Sequence, residues 1–301
     1  MLNTGAKVGI VCCSNGQKRE YAGKIERLEA VLRSVGLQPV LSDHIYVTEK
    51  GSSGTGQERA KALMDFYRDD RIKGIFDISG GDLANGVLPF LDYEVIADSD
   101  KTFWGYSDLT TVINAIYART GKASVLYQIR NLIYEYGERQ TADFRNSVIA
   151  GGDDLFRIDD WAPAKGHQAG KYRNLQGIVV GGNIRCFLKL AGTEYMPELA
   201  GKVLLLESYR GTAELMESYL SQLEQLGAFR KVSGILLGTF TEMQEKKYEP
   251  SIETLVRRYA GNDLPIAVTR QIGHGTDSKG IWIGKSKAAV AEQEKAARGF
   301  P

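Results

Sequence analysis

The sequence predicts an α/β chain built on mostly parallel sheet. Three observations carry that prediction. Short apolar runs alternate with longer stretches of helical spacing along most of the chain. Glycine accounts for 34 of 301 residues, above the roughly 7% usual in proteins, as many tight strand-to-helix turns would require. A polar, irregular stretch over residues 137–176 separates two such alternating halves, and it reads as an interdomain connection with short strands.

The elements follow in order. Lys7 to Cys12 is a strand-like run ending in Ser14-Asn15-Gly16. Ile25, Leu28, Val31, Leu32 and Val35 then recur at helical spacing, and Gly36 stops that helix before the run Gln38 to Leu41, which together make a βαβ unit. The loop Gly51 to Gly56 leads into a helix Gln57 to Asp69, started by a capping box of Thr55 and Glu58. A strand Gly74 to Ile78, the turn Ser79-Gly80-Gly81-Asp82, a strand Thr102 to Tyr106 and a helix Thr110 to Arg119 complete the first half. In the second half the strand-like runs are Gly177 to Val180, Val203 to Leu206, Gly234 to Leu237 and Ile266 to Thr269, with helices Ala213 to Leu226 and Ser251 to Tyr259 between them. The implied division is 1–140, a connection over 141–176, and 177–301.

Composition removes several function classes. The 38 Lys plus Arg nearly cancel the 37 Asp plus Glu, so no global field draws the chain to nucleic acid or an anionic membrane. The odd set Cys12, Cys13 and Cys186 implies no disulfide framework. Met1 to Gly9 lacks the basic and apolar segments of an export signal, and no run approaches the ~18 apolar residues of a membrane span. A cytosolic protein is the expectation. Three histidines without H-E-x-x-H or C-x-x-C suggest no metal site, and neither G-x-G-x-x-G nor the P-loop pattern occurs. The motifs require no cofactor.

Three polar side chains lie just beyond apolar runs: Ser107 after Phe103 to Tyr106, Glu207 after Val203 to Leu206, and His274 after Ile266 to Thr269 and Gln271-Ile272-Gly273. Strand ends in a wound sheet can converge. A serine hydroxyl needs an imidazole to take its proton, and the imidazole needs a carboxylate to fix its tautomer and steady its charge. Gly105 permits a sharp bend, and the helix start near Asp108 presents backbone N–H groups suited to an oxyanion. The turn is close to a nucleophile elbow but is not G-x-S-x-G, because Leu109 replaces the last glycine. Each residue also has an ordinary explanation: Ser107 as a helix N-cap, Glu207 as an ion-pair member, and His274, between Gly273 and Gly275, as a loop histidine. His44 and His167 have no comparable setting. Cys12 and Cys13 read as structural.

Six blocks in order, Ser53 to Ala60, Leu88 to Tyr93, Gly105 to Thr110, Gly181-Gly182-Asn183, Leu204 to Glu207 and Gly273-His274-Gly275, resemble the LD-carboxypeptidases. These are also called muramoyltetrapeptide carboxypeptidases and include the microcin C immunity peptidases. The resemblance implies an N-terminal wound α/β domain, a smaller C-terminal α/β domain, and an active site between them. It also implies a catalytic triad of Ser107, Glu207 and His274. The oxyanion hole would come from the backbone N–H groups of Asp108 and Gly81, with Gly80 as the alternative to Gly81 and the Asp108 carboxylate uninvolved. Asn183 is expected among the substrate contacts. A homodimer is expected, as relatives often form one.

The reaction implied is hydrolysis, through an acyl-enzyme on Ser107, of the L-D bond that releases terminal D-alanine from a cytosolic murein tetrapeptide. The alternative is cleavage of peptide-nucleotide or acyl-sulfamoyl-adenylate conjugates; a non-catalytic peptide-binding protein is the third reading. Many LD-carboxypeptidases carry Arg-Gly-Gly-Tyr-Gly where this chain has Ser79-Gly80-Gly81-Asp82-Leu83, and His-Gly-Pro is missing from the stretch Leu126 to Arg130. The Ser-Gly-Gly form lies closer to the immunity-peptidase branch.

Overall fold

A computed structural model describes residues 2–49, 51–164 and 175–287. The chain runs β1 (Lys7–Val11), α1 (Ala22–Ser34), β2 (Gln38–Leu41), α2 (Gly56–Arg68), β3 (Ile72–Asp77), α3 (Tyr93–Asp98), β4 (Thr102–Gly105), α4 (Thr110–Thr120), β5 (Ser124–Leu126) and α5 (Gly137–Val148). It continues with β6 (Ala162–Pro163), β7 (Gly177–Asn183), α6 (Ile184–Leu188), β8 (Val203–Ser208), α7 (Ala213–Gln225), α8 (Ala228–Lys231), β9 (Gly234–Phe240), α9 (Thr241–Glu245), α10 (Ile252–Ala260), β10 (Ile266–Val268), β11 (Ile281–Ile283) and β12 (Ser286–Lys287).

The strands form two six-stranded sheets, ordered β11-β5-β4-β3-β1-β2 and β12-β7-β8-β9-β10-β6. In each, the central strands are parallel, and antiparallel strands lie at the margins: β11 on β5, β12 on β7 and β6 on β10. The expected α/β class with two parallel-dominated sheets is therefore observed. The buried runs Val203 to Ser208 and Gly234 to Leu237 are what a strand covered on both faces needs. Among the described residues no helix is long and apolar enough to cross a membrane.

Two local signals work as the sequence predicts. Thr55 Oγ1 accepts from the Glu58 N–H at 3.2 Å, and the Glu58 carboxylate accepts from the Thr55 N–H at 2.7 Å, closing the capping box. Gly36, at φ +93°, ends the α1 segment. Two departures matter more. Gly137–Val148, expected to be irregular, is a helix; its buried stripe is Gln140, Phe144, Ser147 and Val148, too polar to announce itself by hydrophobic spacing. Ile281–Ile283 pairs with β5 of the first sheet, so the chain passes back between the sheets after β10. His167 lies outside the described residues.

The sheets meet through α4. Asn114, fully buried, donates to Gly181 O at 2.9 Å and accepts from Gly181 N at 2.8 Å, while Thr110 Oγ1 accepts from Asn183 N at 3.1 Å. Glycine at 182 allows this approach, since a Cβ there would stand 2.8 Å from Thr110 Oγ1.

β4 ends at Gly105, and the chain reaches α4 through one 3-10 turn, Ser107–Leu109. Ser107 has φ +55°, a left-handed conformation that a residue with a Cβ adopts at a cost of about 1–2 kcal/mol. We expect Ser107→Gly to be more stable than Ser107→Ala by about 1 kcal/mol, reversing the usual preference for alanine. Urea denaturation midpoints at unchanged m-value decide this, and an alanine variant as stable as the glycine variant would mean residue 107 is not strained.

Candidate active site

Ser107, Glu207 and His274 come from three elements and meet between the sheets. Ser107 follows β4 of the first sheet. Glu207 lies near the end of β8 in the second, directly across from Asn183 of β7. His274 stands on the segment from β10 to β11, which crosses from the second sheet to the first.

The His274 ring bridges the other two. Its Nδ1 lies 2.7 Å from Glu207 Oε2, and its Nε2 lies 3.1 Å from Ser107 Oγ. A carboxylate facing Nδ1 assigns the proton to that nitrogen, which leaves Nε2 to accept from the serine hydroxyl.

Glu207 is fully buried, and a buried carboxylate needs donors on both oxygens. It has three. Oε2 accepts from His274 and from the Tyr106 hydroxyl at 3.1 Å, and Oε1 accepts from Asn183 Nδ2 at 3.0 Å. Burial, reinforced by the facing Glu207, pushes the Tyr106 phenol well above its ordinary range, so it remains a donor. Tyr106 also meets the His274 ring edge-on at 4.9 Å, while Tyr209 stacks on it at 5.0 Å with 26° between planes. The imidazole is thus held between two aromatic rings, and Tyr209 is 49% exposed toward solvent.

The His274 loop is anchored on both sides. Gly273, at φ +155°, passes so close to Thr239 that a Cβ would fall 1.7 Å from its Oγ1. Ser278 Oγ contacts the carbonyls of Gly273 and Gly275 at 2.6 Å each. Lys279, 8% exposed, donates to the Asp143 carboxylate of α5 at 2.6 Å and to Asp154 O at 2.7 Å.

The glycine turn leads into Ala84, whose N–H donates to the carboxylate of Asp108, the residue after Ser107, at 2.8 Å. Ser79 is buried, and both its N–H and its hydroxyl donate to Asp77 Oδ1, at 2.7 and 2.5 Å. Gly80 O accepts from Asn15 N at 3.3 Å. Gly81 has φ +124° and packs against the Asn15 side chain, where a Cβ would clash at 2.3 Å. At Asp108 the backbone N–H precedes the first bond of its 3-10 turn, Leu109 N to Tyr106 O at 3.0 Å, so it is one of the donors a helix start leaves over.

Asn183, expected to touch substrate, is 5% exposed and engaged at both ends: its amide nitrogen on Glu207 and its oxygen on Cys186 N, capping α6. His44 is remote from this group; its Nδ1 lies 2.9 Å from Ser53 O. Cys12 and Cys13 are buried, and burial followed by the nearby Asp77 raises both thiols well above their ordinary range. They are packed, protonated groups. Sequence reading missed Tyr106, Tyr209, Arg185 and Lys189. Only the last two carried a signal, since residues four apart on a helix share a face.

Residues 8–127 match the LD-carboxypeptidase N-terminal domain and residues 176–288 the LD-carboxypeptidase C-terminal domain. The microcin C7 self-immunity protein MccF of Escherichia coli is 31% identical over 71% of this chain and 70% of its own. A murein tetrapeptide carboxypeptidase of Pseudomonas aeruginosa is 26% identical over 86% of this chain and 87% of its own. Among solved structures, MccF in complex with glutamyl sulfamoyl guanosine superposes with a TM-score of 0.81 at 21% identity, covering 95% of this chain and 93% of that one. With both domain matches and a relative above 30% identity, the chain belongs to the LD-carboxypeptidase family.

Proposed function

We propose that the chain is a serine carboxypeptidase in which Ser107 is the nucleophile, His274 the general base and Glu207 the carboxylate that orients it. The observation that carries this reading is the continuous relay from Ser107 Oγ to His274 Nε2 and from Nδ1 to Glu207 Oε2, at 3.1 and 2.7 Å. His274 takes the hydroxyl proton as Ser107 attacks the amide carbonyl, and the imidazolium then gives that proton to the leaving amine. Water, deprotonated by the same nitrogen, releases the acyl group from Ser107. The negative charge on the carbonyl oxygen is taken up by the backbone N–H groups of Asp108 and Gly81.

The three donors on Glu207 hold its carboxylate in one orientation toward His274. Asn183 and Tyr106 are positioning residues for that carboxylate. The substrate is a murein tetrapeptide, cut at the L-D bond to release D-alanine, in keeping with the Pseudomonas relative. A second reading, a peptide-nucleotide conjugate, is favoured by the Tyr209 ring: half exposed and stacked on His274, it offers an aromatic face to a base at the scissile bond.

A fluorophosphonate probe should label Ser107 stoichiometrically and leave Ser107→Ala unlabelled; a folded parent that takes up no label and turns over no peptide would be a binding protein. Incubation with a murein tetrapeptide and, separately, an acyl-sulfamoyl-adenylate, followed by mass spectrometry, should show D-alanine release. Cleavage of the conjugate alone would select the second substrate. Ser107→Ala should lose about 10⁴-fold or more in kcat while retaining substrate binding. Tyr106→Phe removes one of the donors on Glu207, and a bond to a charged group contributes about 1.5–3 kcal/mol. Its kcat should fall roughly tenfold or more with KM little changed, and an unaltered kcat would remove Tyr106 from the positioning set.

A further inference from the structure

Two consecutive glycines make a poor oxyanion donor unless something outside the turn restrains them, because glycine backbone has the widest conformational freedom. Gly80 and Gly81 are so restrained. On the first-sheet side, Asn15 donates its N–H to Gly80 O at 3.3 Å and accepts from Asp82 N at 3.0 Å. The carbonyls of Gly81 and Asp82 are held from across the cleft, by α6 and the residue that caps its end. Arg185 donates to Gly81 O at 2.8 Å and pairs with the Asp82 carboxylate, and Lys189 donates to Asp82 O at 2.9 Å.

Lys189 makes a second contact, with Asp108 Oδ1 at 2.5 Å. The Asp108 carboxylate is fully buried, and its other oxygen accepts from Ser14 Oγ at 2.6 Å and Ala84 N at 2.8 Å. The side chain expected to be uninvolved therefore ties residue 108 to the loop after the glycine turn and to the second sheet. The same helix is capped by Asn183, whose amide holds Glu207. Five residues are too few to hold a helix by themselves. Here Ile184, Cys186, Phe187 and Leu188 are all buried, which fixes the segment as a rigid platform.

We infer that α6 and the residue after it register the oxyanion hole from the opposite sheet: Arg185 fixes the Gly81–Asp82 peptide that flanks the Gly81 N–H, whose own plane Asn15 holds through Gly80 O, and Lys189 fixes residue 108, both as positioning residues. The inference rests on the reading of Ser107 as the nucleophile. Arg185 and Asp82 are partly exposed, with side chains 40% and 65% accessible, so changing them leaves the core intact. Lys189 lies against a buried carboxylate, and its removal would strand that charge.

The test is Arg185→Gln, Arg185→Lys and Asp82→Asn, each measured for kcat, KM, melting temperature and second-order rate of fluorophosphonate labelling. Phosphonylation of Ser107 builds negative charge on an oxygen in the same hole, so labelling reads the hole without reference to substrate. Loss of one oxyanion donor costs about 10²–10³-fold, and displacing one should cost less. Arg185→Gln should lower kcat and the labelling rate together by roughly 10–100-fold, with KM within about twofold and melting as in the parent. Arg185→Lys should recover part of that loss, and Asp82→Asn should show about a threefold to tenfold reduction in both rates. Unchanged rates in Arg185→Gln, or a rise in KM alone, would overturn the inference, the second by assigning Arg185 to substrate binding. If Arg185→Gln does not fold, Asp82→Asn decides by the same criteria. A parent protein that does not label at Ser107 would overturn the underlying reading instead, and the role of α6 with it.

Discussion

The reciprocal pair of hydrogen bonds between the Asn114 side chain and the Gly181 backbone is the contact on which the site depends. α4 starts immediately after Ser107, and β7 carries Asn183 in register with Glu207 on β8. The spacing of Ser107 and Glu207 is therefore set in large part by a buried junction between a helix of one sheet and a strand of the other. A neutral amide satisfied in both senses suits that place. It carries no desolvated charge, and it specifies one register, because sliding by a residue would orphan two buried polar groups. Glycine at 182 is a steric condition for it, since a Cβ there would stand 2.8 Å from Thr110 Oγ1, and a Cβ at 181 would lie 2.2 Å from Leu205 O of the neighbouring strand.

The site concentrates groups that each work against stability. Ser107 is held left-handed, and Glu207, Asp108 and Asp77 are buried carboxylates. Burial raises the Asp77 carboxyl, while the hydroxyl and N–H of Ser79 and the N–H of Cys13 oppose that rise. Every one of these carboxylates is surrounded by donors that also fix a backbone segment: Asp77 the start of the glycine turn, Asp108 its far end, Glu207 the histidine. The cost of burial is thus converted into positional order, which electrostatic catalysis requires of its donors.

The central parallel strands and the three converging side chains were legible because both leave local marks. A buried parallel strand is a short apolar run, and a polar residue placed just beyond it is conspicuous. Helix α5 left no such mark, since its core-facing positions include Gln140, which pairs across the fold with Ser278 O, and Ser147, which accepts from Leu155 N just beyond the helix. Tyr106, Asn183 and Lys279 act through partners 24 to 136 residues away in sequence. Periodicity encodes none of those pairings; the expectation that Asn183 contacts substrate came from the family resemblance, and its bonds to Glu207 and Cys186 N are ones the sequence does not announce.

The Ser79-Gly80-Gly81-Asp82 turn is tied to both sheets. Ser79 is enclosed with Asp77 and also accepts from Ser14 N at 2.9 Å, so the arginine that many LD-carboxypeptidases resembling this chain carry there would have no room without rearranging the end of β1. At Asp82, where those proteins carry tyrosine, the carboxylate instead faces Arg185. The turn thus differs from that pattern at both ends while keeping its two glycines. Residue 82 can then change only together with whatever restrains the turn's carbonyls, because an alteration that releases Arg185 also frees the peptide plane beside Gly81. The two ends of the turn are thus tied together by a shared backbone, and that tie runs to the second sheet.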